Sequence, residues 1–321
     1  MSSSECHTDQ LDGNTVAIVL ATFNGERFLT EQLNSILEQS HKDWCIIASD
    51  DGSSDNTLGI LEEFRASHPG KMIIVSHRGQ GGACENFLDA LNEALELTDA
   101  SYFAFCDQDD YWESNKLEVS LMTIQALERD EEGPALVFSD AAVVDADLVV
   151  ISQSFFDYTG VSSSRIQLNN LLVQNPISGA AMLFNRSLAE TVSESHYGEQ
   201  IWMHDQWVGL IAACFGKIGP INEALFKYRQ HGDNAMGAIE MSWKFILEKA
   251  RIAKSSLGKK QVQAKYLLRT YSEELPEEEK YVLEQFSSLD AKSKLSRIHC
   301  CMQNAFFMNG VLRNLGLMVF I

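Results

Sequence analysis

The chain has 321 residues, 45% hydrophobic and 22% charged, with a formal net charge of −20. This composition supports a sizeable globular core in one large or two smaller domains, and its acidity argues against nucleic acid as a partner, because phosphate binding needs basic surface. Seven scattered cysteines without Cys-x-x-Cys spacing exclude a zinc ribbon or redox motif, and with no leader-like start and no run of about 18 apolar residues the expectation is reduced thiols in the cytosol.

The first two-thirds of the chain alternates short apolar runs with helix-like periodicity. Val16 to Leu20 predicts a strand, followed by Thr22-Phe23-Asn24-Gly25 and a helix carrying Phe28, Leu29, Leu33, Ile36 and Leu37. Trp44 to Ala48 predicts a second strand, which ends in Ser49-Asp50-Asp51-Gly52-Ser53-Ser54-Asp55, with Asp55 placed to cap the next helix. Met72 to Val75 is a third strand, and the glycine-rich Arg78-Gly79-Gln80-Gly81-Gly82 leads into a helix with Phe87, Leu91 and Leu95. Tyr102 to Phe105 is a fourth strand, Leu136 to Phe138 a fifth, Ala180 to Phe184 a later one and Leu225 to Tyr228 the last. His204-Asp205 opens a helix running through Ala213, and everything after Glu240 reads as helical. Strands joined by single helices imply an α/β fold with a mostly parallel sheet flanked by helices.

In such sheets ligands bind beyond the carboxyl ends of the strands. Polar groups converge there from four elements: Thr22 and Asn24, then Asp50 and Asp51, then Arg78, then Asp107 and Asp109. The stretch Cys106-Asp107-Gln108-Asp109-Asp110-Tyr111-Trp112 puts three carboxylates within four residues. Clustered acids raise one another's pKa, and a hard cation such as Mg²⁺, sharing one or two carboxylates with substrate phosphates, relieves that repulsion. The residues therefore predict a metal–diphosphate site, against the plainer alternative of a solvated acidic loop. Arg78 is placed to stack on a base or approach the diphosphate, and equally to be a solvated turn residue. His231 is a candidate for a metal or phosphate, or a structural histidine. Asp110 is expected to cap the helix that follows. Trp112 and Trp207 flank the acids and are candidate platforms for a sugar or acceptor, although core packing is the commoner fate of Trp.

Four motifs in order, Ala21-Thr22-Phe23-Asn24-Gly25, Asp50 to Asp55, Asp107-Gln108-Asp109-Asp110 and His204-Asp205, resemble the family 2 glycosyltransferases of GT-A (Rossmann-like) fold over roughly residues 15 to 235. Asp107 to Trp112 and Tyr228-Arg229-Gln230-His231 look most like bacterial rhamnosyltransferases of polysaccharide and O-antigen assembly. The resemblance implies a nucleotide-diphosphate sugar donor, Mg²⁺ or Mn²⁺, inversion at the anomeric carbon, and a growing surface glycan or lipid-linked acceptor. It implies nucleotide-sugar binding by Thr22, Asn24, Asp50, Asp51, Arg78, Asp107, Gln108 and Asp109, with Asp50 on the base edge. It also implies metal contact by Asp109, with Asp107 on the ribose or a metal-bound water; His231 is the further candidate ligand by its own place after the last strand, a structural histidine being the other reading. Asp205 would be the general base, the other reading of that residue being a helix cap. The family often has Glu-Asp where this chain has His204-Asp205, which leaves the part played by His204 open.

Charge is unevenly distributed: from Glu240 onward there are 13 basic and 9 acidic residues. The organisation expected is a flexible N-terminus (1–14), a catalytic domain (15–239) and a helical, basic C-terminal region (240–321). Lys244 to Arg269 carries eight basic residues and one acid, with Trp243, Ile246, Ala250, Ala253 and Leu257 on one helical face. That pattern reads as an element lying on an anionic membrane, giving a cytoplasmic enzyme peripheral on the inner face, or as a subdomain packing on the core. Two alternatives to the transferase are a nucleotidyltransferase and a non-catalytic scaffold of glycosyltransferase ancestry. Thr22-Phe23-Asn24-Gly25-Glu26-Arg27 argues against the first, since it lacks a glycine-rich basic phosphate loop.

Overall fold

The computed structural model describes residues 13–76, 82–129, 132–195, 200–231 and 243–321. The early apolar runs form strands β1 (Val16–Thr22), β2 (Trp44–Asp50), β3 (Met72–Ser76) and β4 (Tyr102–Cys106). Every residue of β1, β2 and β4 is buried. Strands covered on both faces have no solvent side to alternate with, which is why they are continuous apolar runs. The four pair in parallel in the order β3-β2-β1-β4. Helices α1 (Leu29–Leu37), α2 (Thr57–Ser67) and α3 (Gly82–Leu97) provide the crossovers. The register sets Thr22 beside Asp50 and Leu20 beside Cys106, so the segments that follow these strands leave the sheet along one edge.

The second half departs from a parallel arrangement. It comprises β5 (Tyr111–Trp112), α4 (Lys116–Glu128), β6 (Ala135–Val144), β7 (Val150–Ser152), α5 (Phe155–Thr159), α6 (Leu168–Leu171), β8 (Met182–Asn185), α7 (Arg186–Ser193), α8 (His204–Phe215) and β9 (Lys217–Arg229). The nine strands make one sheet of order β3-β2-β1-β4-β8-β6-β9-β5, with β7 on β6. β8 runs antiparallel to both β4 and β6, β6 and β9 are parallel, and β5 is antiparallel to β9. The physical reason is the connection. The connection through residues 145–181 brings the chain back in beside the middle of β6, Met182 opposite Phe138 and Phe184 opposite Leu136, so β8 runs the other way. The fold is thus α/β with flanking helices, parallel in its first four strands and mixed beyond them.

From residue 243 every described element is helical: α9 (Trp243–Thr270), α10 (Glu277–Ser287), α11 (Lys294–Gln303) and α12 (Val311–Phe320), with one 3₁₀ turn at Leu289–Ala291. The boundary expected near residue 240 and the side chains of the proposed membrane face up to Ala253 lie outside the described residues. Further along, α9 buries Gln261, Gln263, Ala264 and Leu267. This part of the basic helix packs on the protein. α12 buries Leu317 and leaves Val311, Leu312, Leu315 and Val319 exposed. Among the described residues no helix is long and apolar enough to cross a membrane.

Candidate active site

The loops after β1 and β2 are built around one carboxylate. Asp50 Oδ2 accepts from Thr22 Oγ1 at 2.9 Å and Ser53 Oγ at 2.5 Å, and Oδ1 accepts from the backbone N–H groups of Gly52 and Ser53. Four donors fill the lone-pair sites of a carboxylate. Asp50 therefore shapes the loop, and in this arrangement it has no acceptor site left over for a base edge. Asn24 takes the left-handed backbone (φ 48°), which Asn tolerates better than most residues. Its Oδ1 accepts from Ser54 N at 2.8 Å, and its own N–H donates to Ser53 Oγ. Asp55 accepts from the N–H and hydroxyl of Thr57, the first residue of α2, and from Glu26 N, but the cap position itself is Asn56, one residue on. Asp51 accepts from Gly82 N, tying this loop to the start of α3. Arg78 lies outside the described residues.

The acidic segment after β4 is held from two sides. Gln108 Oε1 accepts from Phe23 N at 2.9 Å and its Nε2 donates to Phe23 O at 3.0 Å, so both ends of the amide clasp the loop after β1. Gly25 makes room for the clasp, since a Cβ there would sit 2.2 Å from Gln108 Oε1. On the other side stands Arg229, the last residue of β9. Its backbone N–H donates to Asp110 Oδ1, Nε to Asp109 O at 2.8 Å, Nη1 to Ala146 O and Nη2 to Glu31 Oε2. Its guanidinium lies over the Phe28 ring at 4.5 Å. Asp110 does not cap a helix: α4 starts at Lys116 after Asn115, and Asp110 is buried against β9. Burial first, then the charges of Asp109 and Asp107, push its pKa well above the usual carboxylate range.

Asp109 faces His231. Asp109 Oδ2 and His231 Nε2 are 2.9 Å apart, and the imidazole also packs on Phe28 with ring centroids 4.8 Å apart. Burial, followed by repulsion from Asp109 and then Asp205, pushes Asp107 up to about 7. The chain thus brings Asp107, Asp109, His231 and Asp205 to one place from three separate segments. Among the described residues no three His, Cys, Asp or Glu side chains form a ready-made cage. The donor set suits a cation shared with a substrate: one carboxylate and one imidazole from the protein, with the remaining positions left to phosphate oxygens and water. Carboxylates whose pKa values burial and mutual repulsion raise are those a nearby dication would stabilise.

Asp205 lies in the first turn of α8 and is not its cap, since the cap residue is Met203. Its Oδ1 accepts from Gln206 N at 2.5 Å. Burial raises its pKa to about 6, opposed by the Gln206 N–H and the charge of Lys260. His204 turns inward. It stacks on Phe87 at 4.2 Å and meets the edge of Phe105 at 5.1 Å, and neither ring nitrogen has a hydrogen-bond partner among the described residues. Burial pulls its pKa down to about 3, so it packs as a neutral ring beneath Asp205.

Two sugar-platform expectations are corrected. Trp112 is wholly buried in β5, with the Lys116 ammonium 4.9 Å from its ring centroid. Trp207 is wholly buried and stacks on Tyr266 of α9 at 5.6 Å. A ring with no accessible face cannot support a sugar, so both are core. Arg229 and Lys260 are the residues the sequence reading missed as parts of the site. The run Tyr228-Arg229-Gln230-His231 was a signal for the first; nothing local signals the second.

The architecture is that of the GT-A transferases. S. aureus TarS, solved with UDP-GlcNAc, is 18% identical and superposes with a TM-score of 0.54 over 90% of this chain and 80% of its own. The mannosyltransferase PcManGT from Pyrobaculum calidifontis, solved with GDP-Man and Mn²⁺, is 15% identical with a TM-score of 0.53, over 95% of this chain and 78% of its own. The chain belongs to glycosyl transferase family 2, whose model matches residues 17–191, and it is a glycosyltransferase. It is similar to the dTDP-rhamnosyl transferase RfbG of Shigella flexneri, at 28% identity over 262 residues, covering 76% of this chain and 82% of the relative. Membership sets aside the nucleotidyltransferase alternative.

Proposed function

We propose that this protein is an inverting, metal-dependent glycosyltransferase that moves a sugar, rhamnose, from a nucleotide-diphosphate donor to a growing surface glycan or its lipid-linked precursor. The observation that carries the reading is the meeting of the Asp109–His231 pair with Asp107 and Asp205 at the carboxyl edge of the parallel strands. The similarity to RfbG supports rhamnose as the sugar and polysaccharide assembly as the setting.

In this reading Asp109 and His231 hold Mg²⁺ or Mn²⁺, which when bound supplies Lewis-acid stabilisation of the departing diphosphate. Thr22, Asn24, Asp51 and Asp107 line the nucleoside and ribose side. Asp50 and Gln108 act one step back, by fixing the loops on which the nucleotide rests. Asp205 accepts the proton of the acceptor hydroxyl as that oxygen attacks the anomeric carbon from the face opposite the leaving group. A carboxylate with a pKa of about 6 is ionised at neutral pH yet basic enough to take a proton in the transition state. Residues 15–239 form the catalytic domain, and the helices beyond bring the enzyme to the cytoplasmic membrane surface where a lipid-linked acceptor resides.

The test is transfer from a panel of nucleotide-diphosphate sugars by purified protein with Mg²⁺, Mn²⁺ or EDTA, with the anomeric configuration of the product read by NMR. Inversion with dTDP-rhamnose as the preferred donor is expected. Metal-independent transfer, or retention of configuration, would refute the mechanism.

A further inference from the structure

The mixed half of the sheet carries a second concavity, set back from the Asp109–His231 pair. A cavity of about 620 Å³ opens between β6, α5, β9 and the turn that precedes α12. β6 and β9 supply one wall, where Asp140 lies opposite Ala224. Asp140 shapes that wall: its Oδ1 accepts from the N–H groups of Ala141, Phe155 and Phe156, and its Oδ2 from Ser154 Oγ. α5 ends at Gly160, whose left-handed backbone (φ 61°) turns the chain along the rim. Arg313 of α12 donates to the carbonyls of Thr159 and Gly160, and Asn309 N donates to Gln174 Oε1 at 2.6 Å. The C-terminal region is thereby fastened to the catalytic domain at this cavity.

Four side chains bring to this space polar groups that make no hydrogen bond within the protein among the described residues. They are the amides of Gln153 and Asn309, the Asp157 carboxylate and Asn222 Nδ2. Asn222 is held by its other end, since its Oδ1 accepts from Ser163 Oγ at 2.9 Å. Amides and a carboxylate together present several donors and acceptors in fixed planes. Among the described residues no lysine, arginine or histidine lines the cavity, so a phosphate or nucleotide would find no cation to pair with it. A lipid chain would take these polar groups out of water without giving them partners. A sugar ring answers both demands: each hydroxyl donates and accepts, and its C–H face suits the Phe156 ring, which also lines the space.

The strand register relates this cavity to the reaction. Ala224 pairs with Asp140 and Arg229 with Val144, so the cavity lies back along β9 from the arginine that clasps the acidic loop. At a rise of about 3.3 Å per residue the separation is about 16 Å. A single sugar at the reaction centre does not span that distance, whereas units already joined to it do. We propose that this cavity is a remote subsite for the growing glycan, holding sugar units added in earlier rounds while the newest one presents its hydroxyl for transfer. The proposal rests on the reading of the protein as a transferase that extends a glycan. Asn222 and Asn309 lie beyond the family-matched residues 17–191, so the subsite is built partly from chain that family membership does not specify.

The test uses the full chain and oligosaccharides released by mild acid from the surface polysaccharide of the source organism, fractionated by length. Calorimetry gives the Kd of each fraction for wild type, for Gln153→Ala/Asn222→Ala and for Asn222→Trp, alongside donor Kd and transfer to each fraction. Both positions are exposed, so the variants should fold. Wild type is expected to bind long fractions about tenfold or more tighter than single units. Each hydrogen bond is worth a factor of about two to ten, so Gln153→Ala/Asn222→Ala should lose about tenfold for the long fractions, with donor Kd unchanged. Asn222→Trp fills the space and should abolish the dependence on length. Wild-type affinity that does not change with length, or a length dependence that survives in both variants, overturns the proposal and leaves the cavity as a solvated groove. The reading beneath it fails differently: wild type that transfers sugar to no fraction would remove the activity, while length-dependent binding lost in Asn222→Trp would still establish the subsite.

Discussion

Arg229→Met replaces, at similar length, the buried side chain of β9 that bonds to the Asp109 carbonyl. Arg229 is 1% exposed, so what it loses is not returned by water. Its bonds to the carbonyls of Asp109 and Ala146 contribute about 0.5–1.5 kcal/mol each. Its cation–π contact with Phe28 is worth about 1 kcal/mol in a desolvated setting. The Glu31 partner is 53% exposed, so that ion pair adds only ~0–1 kcal/mol. The methionine recovers some apolar packing, which leaves a net destabilisation of about 2–4 kcal/mol. A loss of 3 kcal/mol is roughly a hundredfold in the folding constant. The functional effect should be separable from the global one, because the Asp109 carbonyl loses its anchor while the backbone bond to Asp110 remains. Urea unfolding of the variant should show a lower midpoint at unchanged slope. Titration with nucleotide-diphosphate sugar under fully native conditions should show weaker metal-dependent binding. An unchanged midpoint together with unchanged donor affinity would refute the reasoning.

Asp109→Ala should stay folded and lose the metal-dependent part of donor binding; equal nucleotide affinity with and without EDTA in both proteins would rule the metal site out. Asp205→Asn should keep donor affinity and lose about 10²–10⁴ in kcat, the usual worth of general-base assistance. In wild type the acid limb should reflect the base: the carboxylate must be ionised to act, so kcat holds above pH 6 and falls tenfold per unit below it, given a pKa of about 6. An acid limb unchanged in the residual activity of Asp205→Asn would assign the limb to another group. Binding to anionic vesicles should exceed binding to neutral ones and weaken with salt, and truncation after Gly237 should abolish it; equal pelleting of both forms would leave the tail as a packing element.

The parallel half of the fold was legible because each strand is a short apolar run bounded by turn chemistry, and burial on both faces writes itself into the residues as continuity. The polar ends of β1, β2 and β4 were legible for the same reason: once strand ends are located, topology decides what shares an edge. What was not legible depends on partners distant in the chain. β5 is two residues long and exists only because Lys227 and Phe226 lie opposite Tyr111 and Trp112. Ala180 reads as strand, but Gly179–Ala181 forms a 3₁₀ turn and β8 starts at Met182. Gly179 comes so near His204 that a Cβ would lie 2.6 Å from Nε2. Trp112 and Trp207 stayed open between sugar platform and core because residue type carries no statement of exposure. Lys260 looked like one solvated cation among the eight basic residues of Lys244 to Arg269, and only the packing of α9 distinguishes it.

The clasp of Arg229 on the acidic loop also fixes when the enzyme can begin to work. Asp109 and Asp110 are made 120 and 119 residues before the arginine that shapes them. At translation rates of about 5–20 residues per second that interval is roughly 6 to 24 seconds. Through it the parallel strands can fold, yet the loop that would grip a diphosphate has no anchor. The anchor of the diphosphate loop thus arrives only once β9 has been made, well after the strands that carry the acids.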